Sequence, residues 1–357
     1  MMQFLVVGSA PLSFPGGVEQ QCRRLVQGLR HLGHDARYIS AQDLVPSWAG
    51  GFPARRQWQG LAEAVAARTL DRAAEVVITN GPIGWGVRGR TLSVHWYHGT
   101  YAGQAAAIRP YISRLGYLKM RYFDSHLLER LAGRNKMAVA DSERVAFEIQ
   151  RNFGYACVPV WFPIDTDRFR PGPRHPRILR ELDVPDGRSV ALFVGLGRPM
   201  KGEGTVLAAA HEVGGVCWLL LGEEPPRLAK LPVNVVVRNS VSPDVMPHLL
   251  RSVDVVVMPS LYEPVGTVAA EALACGTPVI AAPSGTADLM AKFPELRRWI
   301  LTDPRDAGQL AQLVREVIEA GDELRSVVRE VGQVLVEPLR IDNWVRRFLE
   351  AIGLGRS

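Results

Sequence analysis

Short runs of β-branched and apolar residues alternate with segments of helical periodicity along most of the chain, stop at a proline-rich stretch, and then restart. Such alternation is the pattern of parallel α/β sheets, because two parallel neighbours must be joined by a crossover long enough to hold a helix. Strands are expected at residues 3–8, 36–39, 76–80, 92–95, 137–140 and 158–161. After the first of these, Val18, Cys22, Leu25, Val26, Leu29 and Leu32 fall on one face of a helix over 17–32, which Gly33 closes. A second helix, over 142–153, opens at a capping residue, Asp141 or Ser142. Residues 162–177 contain Pro163, Pro171, Pro173 and Pro176, too many for a helix interior or a central strand, so the segment reads as an interdomain linker. Beyond it, strands are expected at 190–195, 217–222, 234–237, 253–258 and 278–281, with helices near 202–213, 243–251 and 268–274. The fold class is therefore α/β, with two Rossmann-like α/β/α domains of similar size.

Composition narrows the class further. The 357 residues are 47% hydrophobic and 22% charged, the balance of a globular protein and not of a disordered one. The uncharged run 272–287 is broken by Gly276, Pro278, Pro283 and Gly285 and cannot be a membrane helix. The opening Met1-Met2-Gln3-Phe4-Leu5-Val6-Val7-Gly8 has no basic leader and reads as a first strand, not as a secretion signal. Cys22, Cys157, Cys217 and Cys275 lack metal-ligand spacing and are expected as buried reduced thiols, which points to a cytoplasmic address. The net charge of +6 is uneven: residues 1–165 carry 19 Lys and Arg against 12 Asp and Glu, the remainder 23 against 24. A basic first half fits an anionic partner, either an acidic acceptor or a membrane surface, and equally an ordinary arginine-rich exterior. The stretch 108–131 concentrates that charge with aromatics: Arg109, Tyr111, Arg114, Tyr117, Lys119, Arg121, Tyr122 and Phe123. Its Ile112, Leu115, Leu118 and Tyr122 are expected to be buried as a helix face, with peripheral contact to an inner membrane surface as the alternative.

The sharpest local chemistry lies in Ser260-Leu261-Tyr262-Glu263-Pro264-Val265-Gly266-Thr267-Val268-Ala269-Ala270-Glu271, which leads from a buried strand into a helix. A turn of this kind aims unpaired backbone N–H groups, backed by the helix dipole, at whatever lies before it, and Gly266 lets an anion approach. Glu263 and Glu271 bracket the same place, and a carboxylate suits the paired hydroxyls of a sugar or ribose. On spacing alone, two solvated glutamates around a helix start remain an equal reading. His95 and His98, three apart at a strand end, have no third ligand nearby for a metal. The first strand runs into Gly8-Ser9-Ala10-Pro11, without the Gly-x-Gly-x-x-Gly turn of dinucleotide oxidoreductases.

That block and its continuation, Ala272-Leu273-Ala274-Cys275-Gly276-Thr277-Pro278-Val279-Ile280-Ala281, resemble the Glu-x7-Glu region of family-four glycosyltransferases of the GT-B type. Pro15-Gly16-Gly17-Val18-Glu19 is similar to the family's N-terminal Gly-Gly turn, His98-Gly99-Thr100 to its His-Gly element, and Ala140-Asp141-Ser142-Glu143 to its Ser-Glu helix start. Ile164-Asp165-Thr166-Asp167-Arg168-Phe169 resembles the family linker, and Trp344 the tryptophan of the C-terminal helix that returns to the first domain. The resemblance implies two domains facing a cleft: 1–165 for the acceptor, 166–338 for the donor, and 339–357 packing back on the first.

By the same resemblance, Glu263 holds hydroxyls of the donor sugar, Glu271 the ribose, and the N–H groups of Gly266, Thr267 and Val268 the diphosphate. Gly16 and Gly17 pack against the diphosphate, Lys201 matches the family's phosphate lysine, and His98 contacts the donor sugar or the reaction centre while His95 stays structural. Catalytic roles thus fall to His98, Glu263 and Lys201. The family's arginine next to the strand glycine or the lysine is missing, since Leu196 and Met200 stand there, and Arg198 is the nearby substitute. Val265 replaces an aromatic residue that is frequent in the family, and Asp288 a glutamate. The implied reaction moves a sugar from a UDP- or GDP-sugar to an acceptor hydroxyl with retention, without metal or other cofactor and without nucleic acid. The acceptor is left open between a glycan, a lipid-linked sugar and a small natural product, with residues 38–59 and their Trp48, Phe52 and Trp58 as the acceptor loop. Two other readings stay open: a nucleotide-sugar epimerase on the same fold, and a non-catalytic sugar-nucleotide binding protein.

Overall fold

The computed structural model describes residues 1–14, 16–40, 74–222 and 231–355, so Pro15 and the aromatics Trp48, Phe52 and Trp58 lie outside the described residues. The chain divides into one unit of Met1–Pro163 with Leu339–Ser357, and a second of Ile164–Pro338. In the first, β1 (Gln3–Gly8), β2 (Asp35–Ser40), β3 (Val76–Thr79), β4 (Leu92–Tyr97), β5 (Met137–Ala140) and β6 (Cys157–Pro159) form one sheet in the order β2-β1-β3-β4-β5-β6. Every pairing is parallel. A parallel sheet is covered on both faces, which is why the strands read as unbroken apolar runs: Phe4 to Val7 and Val76 to Ile78 are all buried.

Helix Gly17–His31 lays Cys22, Leu25, Val26 and Leu29 on this sheet. The last helix, Ile341–Ala351, adds Trp344, Val345, Phe348 and Leu349 to the same cluster. The two helices meet so closely that a Cβ on Gly28 would collide with the Val345 side chain. Each such large apolar side chain contributes roughly 1.5–3 kcal/mol when removed from water, so the C-terminal segment is held firmly to the first unit.

The second unit holds β7 (Ser189–Leu196), β8 (Val216–Gly222), β9 (Val235–Arg238), β10 (Val255–Met258) and β11 (Val279–Ala281), in the order β11-β10-β7-β8-β9, again all parallel. The chain builds outward from β7 to β9, then returns and adds β10 and β11 on the other side. The direction of building therefore reverses between β7 and β10. In open α/β sheets the crevice for ligands lies at the carboxyl ends of the strands flanking such a reversal. A long helix, Ala307–Val336, bends at Gly321, where φ is 49° and ψ −128°. From it the buried Arg325 donates to the carbonyls of Arg251 and Val253, tying the end of helix Met246–Ser252 to the long helix.

Several local expectations are corrected. Pro176 opens a short helix, Pro176–Glu181, at the end of the stretch read as linker; a proline is tolerated there because the first-turn N–H has no helical acceptor anyway. The segment 108–131 is not a single helix. It runs through a 3-10 turn at Arg109–Tyr111, helix Arg114–Leu118, a π-helical run Lys119–Glu129 and helix Arg130–Gly133. Bonding from i to i+5 changes which side chains share a face, and the expected burial of Leu115, Leu118 and Tyr122 is overturned. Leu115 is 79% and Tyr122 56% exposed, Leu118 is exposed too, and Ser125, Leu128 and Glu129 are buried instead. The four cysteines are unpaired thiols, three buried and Cys157 half-buried. Among the described residues, no helix is long and apolar enough to cross a membrane.

Candidate functional site

The side chains that carry chemistry in the second unit lie on the two loops that leave β7 and β10. After Met258 the chain turns through Ser260–Val265 to Gly266, the N-cap of helix Thr267–Ala274. Gly266 adopts φ 78°, and a Cβ there would sit 2.9 Å from Thr286 Oγ1 and 3.0 Å from Thr286 N, so both conformation and space require glycine. The Thr286 hydroxyl reaches the carbonyls of Val265 (3.0 Å) and Gly266 (2.7 Å) and fixes the turn from below. The first rung of the helix is Ala270 N–H to Gly266 O, at 3.2 Å. The N–H groups of Thr267, Val268 and Ala269 are therefore outside the helical ladder and form the positive end of the helix dipole. Glu271, buried, lies one turn further along the same helix as Thr267.

Glu263 is buried and uses both carboxylate oxygens. Oε2 accepts from Lys201 Nζ at 2.6 Å and from Ser260 Oγ at 3.0 Å, and Oε1 from the Gly266 N–H at 3.1 Å. Lys201 reaches it because β7 shifts register between Val194 and Leu196, at Gly195 with φ 123°. With no side chain at Gly195, the lysine stem lies across that residue; a Cβ there would be 2.8 Å from Lys201 Cγ. Gly202, at φ 80°, presses on the Pro259 carbonyl, and Leu261 N–H donates to Met200 O at 2.8 Å. The two loops are thus stitched to one another by backbone. An ammonium has three N–H bonds; one goes to Glu263 and the lysine side chain keeps 20% of its surface exposed, enough to meet a ligand. Arg198 stands exposed on the same loop.

In the first unit, Gly16 caps helix Gly17–His31, whose first rung is Gln20 N–H to Gly16 O at 3.1 Å, so the N–H groups of Gly17, Val18 and Glu19 lie outside the ladder. His98 leaves β4 with Nδ1 2.6 Å from Asp141 Oδ2, and Trp96 Nε1 donates to Asp141 Oδ1 at 2.5 Å. His98 Nε2 is buried and has no hydrogen-bond partner among the described residues. His95 differs: it is fully buried with Nδ1 2.8 Å from Thr79 Oγ1. Burial, and then the nearby Lys136 charge, hold its imidazole well below the ordinary histidine range. It is a neutral core residue.

Lys201, Glu263, Gly266, Thr267, Val268 and Glu271, with Arg198, thus share the second unit, while Gly16, Gly17 and His98 belong to the first. Sequence reasoning missed Ser260, Thr286 and Asp141 as supports. Of the two capping alternatives, Asp141 and Ser142, the cap is Ser142, its Oγ accepting from Val145 N–H at 3.3 Å, and Asp141 is left for another role. The signal that would have found Asp141 is strand register: Tyr97 pairs with Ala140, so residues 98 and 141 leave neighbouring strands side by side.

Residues 175–333 match the family model described as glycosyl transferases group 1. A D-inositol 3-phosphate glycosyltransferase 2 of Catenulispora acidiphila is 33% identical over 214 residues, 51% of this chain and 48% of that protein. The D-inositol 3-phosphate glycosyltransferase of Mycolicibacterium smegmatis is 31% identical over 169 residues, 44% of this chain and 38% of that protein. The chain thus spans less than half the length of these relatives. Among solved structures, the sucrose-phosphate synthase of Thermosynechococcus elongatus superposes with TM-score 0.77 at 19% identity, over 98% of both chains. Anabaena HepE in complex with UDP-glucose gives 0.71 at 16% identity, over 99% of this chain and all of the other. At such identities the likeness establishes the fold, which is GT-B.

Proposed function

We propose, from the match of residues 175–333 to the model of the group 1 glycosyl transferases, that the protein transfers a sugar from a nucleoside-diphosphate donor to an acceptor hydroxyl. The second unit holds the donor and the first unit the acceptor. The observation that carries this reading is the Lys201–Glu263 pair, 2.6 Å apart beside the helix N-terminus at Thr267. Cation, carboxylate and unspent N–H groups at one sheet reversal match the three parts of a nucleotide sugar: Glu263 takes sugar hydroxyls, Glu271 the ribose, and Lys201 with the Thr267 and Val268 N–H groups the diphosphate, while the Gly266 N–H, expected to share that role, is given to Glu263 Oε1. Arg198 adds a second cation at the rim, and the Gly16-Gly17 turn presents its own N–H groups to an anion. As the glycosidic bond breaks, negative charge grows on the departing diphosphate; donors fixed in advance stabilise it without reorganising. His98 takes a hydroxyl near the reacting carbon.

Retention follows in this reading from a front-face displacement in which the leaving phosphate oxygen helps to remove the acceptor proton, since no carboxylate is assigned as nucleophile. The reaction needs no metal, the cationic work being done by Lys201 and backbone. The relative named for inositol phosphate and the structure with UDP-glucose make a uridine donor and a phosphorylated or polyhydroxylated acceptor the first pair to assay. The basic, aromatic surface around Arg114, Leu115, Leu118 and Tyr122, exposed as described, fits a peripheral contact with anionic lipid; sedimentation with phosphatidylglycerol vesicles, absent with phosphatidylcholine, tests it.

The donor reading is tested by thermal shift against a panel of nucleoside diphosphates and their sugars. A ligand at a hundred times its Kd adds roughly 2.7 kcal/mol. A rise with one base, lost in Glu271→Ala, supports the reading; no rise with any nucleotide overturns it. Donor turnover without acceptor, as fast as with one, would point to an epimerase or hydrolase, and inverted product or a chelator-sensitive rate would overturn the mechanism.

A further inference from the structure

Among the described residues of the first unit, His98 Nε2 is one of the buried polar atoms without a hydrogen-bond partner, with Gln21 Oε1, His126 Nδ1 and Trp344 Nε1. The side chain is 91% removed from solvent (9% exposed), yet this nitrogen has no partner among the described residues. A buried nitrogen with no partner forfeits a hydrogen bond that water would have given it. The opposite nitrogen is fully engaged, and the group that engages it is itself fixed. Asp141 is completely buried, with Oδ1 receiving the Trp96 indole N–H and Oδ2 facing His98 Nδ1. Trp96 is clamped by the core: its ring lies 5.3 Å from Trp344 and 5.6 Å from Phe348, both on the last helix, and 4.4 Å from the His98 ring itself.

A carboxylate with both oxygens accepting can only receive a hydrogen at Nδ1. In a neutral imidazole one nitrogen carries the hydrogen and the other a lone pair. We propose that Asp141 is a positioning residue that fixes His98 as the Nδ1–H tautomer, so that Nε2 presents a lone pair and accepts a hydrogen bond from a hydroxyl of the sugar substrate. Resting as it does on the transferase reading, this gives His98 a defined polarity: it receives a hydroxyl hydrogen bond and gives none. It also places the last helix in the chain of support, since Trp344 and Phe348 hold the indole that holds Asp141.

Asp141→Asn tests the assignment with little change of shape. The Asn carbonyl can still accept from Trp96, while its NH2 donates to His98 Nδ1 and forces the hydrogen onto Nε2. With histidine labelled in 15N, the ring nitrogens of His98, assigned by their loss in His98→Gln, report the tautomer directly. The wild type should show hydrogen on Nδ1 and a bare Nε2, and Asp141→Asn the reverse. In that variant kcat/KM should fall roughly 10–100-fold, the loss of one well-placed hydrogen bond, while the Kd for the nucleoside diphosphate alone, held by the second unit, stays put. Trp96→Phe keeps the carboxylate and should retain the wild-type tautomer. Hydrogen on Nε2 in the wild type, or on both nitrogens at the assay pH, overturns the proposal, and so does full activity in a variant whose tautomer has reversed. The wild-type spectrum decides the assignment even if Asp141→Asn fails to fold. Failure of the wild type to bind any nucleoside diphosphate would instead refute the donor reading and leave the tautomer result intact.

Discussion

Gly202→Ala is the substitution most revealing of how the site is held. Gly202 sits at φ 80° between Lys201 and helix Glu203–Glu212, and a Cβ placed on it would be 2.8 Å from the Pro259 carbonyl carbon and well inside contact with its oxygen. Two costs follow. A left-handed conformation costs a residue with a side chain about 1–2 kcal/mol, and packing an atom into occupied space typically costs about 1–3 kcal/mol, so the protein should lose roughly 2–5 kcal/mol. The chain can relieve the clash only by moving the Pro259 peptide about an ångström, toward the ordinary C···O separation of about 3.3 Å. Pro259 leads directly into Ser260 and Glu263, so that movement pulls Glu263 from Lys201, and a misplacement of about 1 Å can cost on the order of 10²-fold in rate. Urea denaturation gives the stability and progress curves with donor and acceptor the rate. Gly204→Ala is the matched control, because nothing lies within 4 Å of its Cβ and it sits in the helix; there alanine should be neutral or stabilising by up to about 1 kcal/mol. Equal behaviour of the two variants would refute the idea that contact between the β7 and β10 loops sets the Lys201–Glu263 geometry.

Lys201→Met should lower kcat by roughly 10²–10³, the cost of removing one preorganised charge donor, and should raise the Kd for nucleoside diphosphate in calorimetry; unchanged binding would count against its phosphate role. Ser260→Ala removes one of the hydrogen bonds to Glu263 and should weaken donor-sugar binding by about 1 kcal/mol, read as a KM effect larger for the nucleotide sugar than for the nucleotide. Trp344→Ala empties a fully buried site against Trp96 and Phe348 and should cost about 3–5 kcal/mol, measured by denaturation. Burial raises the Glu129 carboxyl from 4.5 to about 8, with Ser125 Oγ and the Tyr101 N–H as its hydrogen-bond donors. The folded state therefore holds a proton that the unfolded state releases: the contribution is fully present below about 4.5 and is lost as pH rises through about 8. Relative to Glu129→Gln, wild-type stability should fall between pH 5 and 8 by up to about 1.4 kcal/mol per pH unit, and a flat difference would refute the burial argument.

The strands were legible because each is a short apolar run bounded by turn residues. Gln3–Gly8 and Met137–Ala140 end where the sequence places them, and β4 runs on to Tyr97 because Trp96 and Tyr97 are buried like the residues before them. Helix Met246–Ser252 starts later than the periodicity implies, with Pro247 in its first turn. The segment 108–131 was illegible for a specific reason. An α-helical period does not hold there: the π-helical run Lys119–Glu129 carries Ser125 and Glu129 inward while Tyr122 faces solvent, and Leu115, in the short helix before it, is exposed as well. In the candidate site, Gly266 announces itself, since a glycine at a strand-to-helix turn has few other reasons to be there. Asp141 and Thr286 do not, because their partners lie 43 residues (His98) and 21 residues (Val265) away and only the folded register brings them close.

Two groups assigned to substrate, Glu263 and His98, are each held by their own unit before any substrate arrives. Glu263 is fixed by Lys201, by Ser260 and by a backbone N–H three residues on; His98 is fixed by Asp141, and Asp141 by Trp96. A carboxylate buried without partners would cost several kcal/mol and would take up a proton instead. Glu129 is the counterexample within the same chain: it has only neutral donors, and its pKa rises to about 8. The cation at Lys201 therefore does two things with one charge, compensating Glu263 when the site is empty and offering its remaining N–H groups to an anion when it is filled. Removing that charge should accordingly weaken the donor site even for ligands that lack a diphosphate, through the unpaired Glu263 it leaves behind. Binding of the free sugar alone, measured in Lys201→Met and in Lys201→Met with Glu263→Gln, separates the two effects: recovery in the double variant shows that the carboxylate was stranded, and no recovery shows that the ammonium touched the ligand itself.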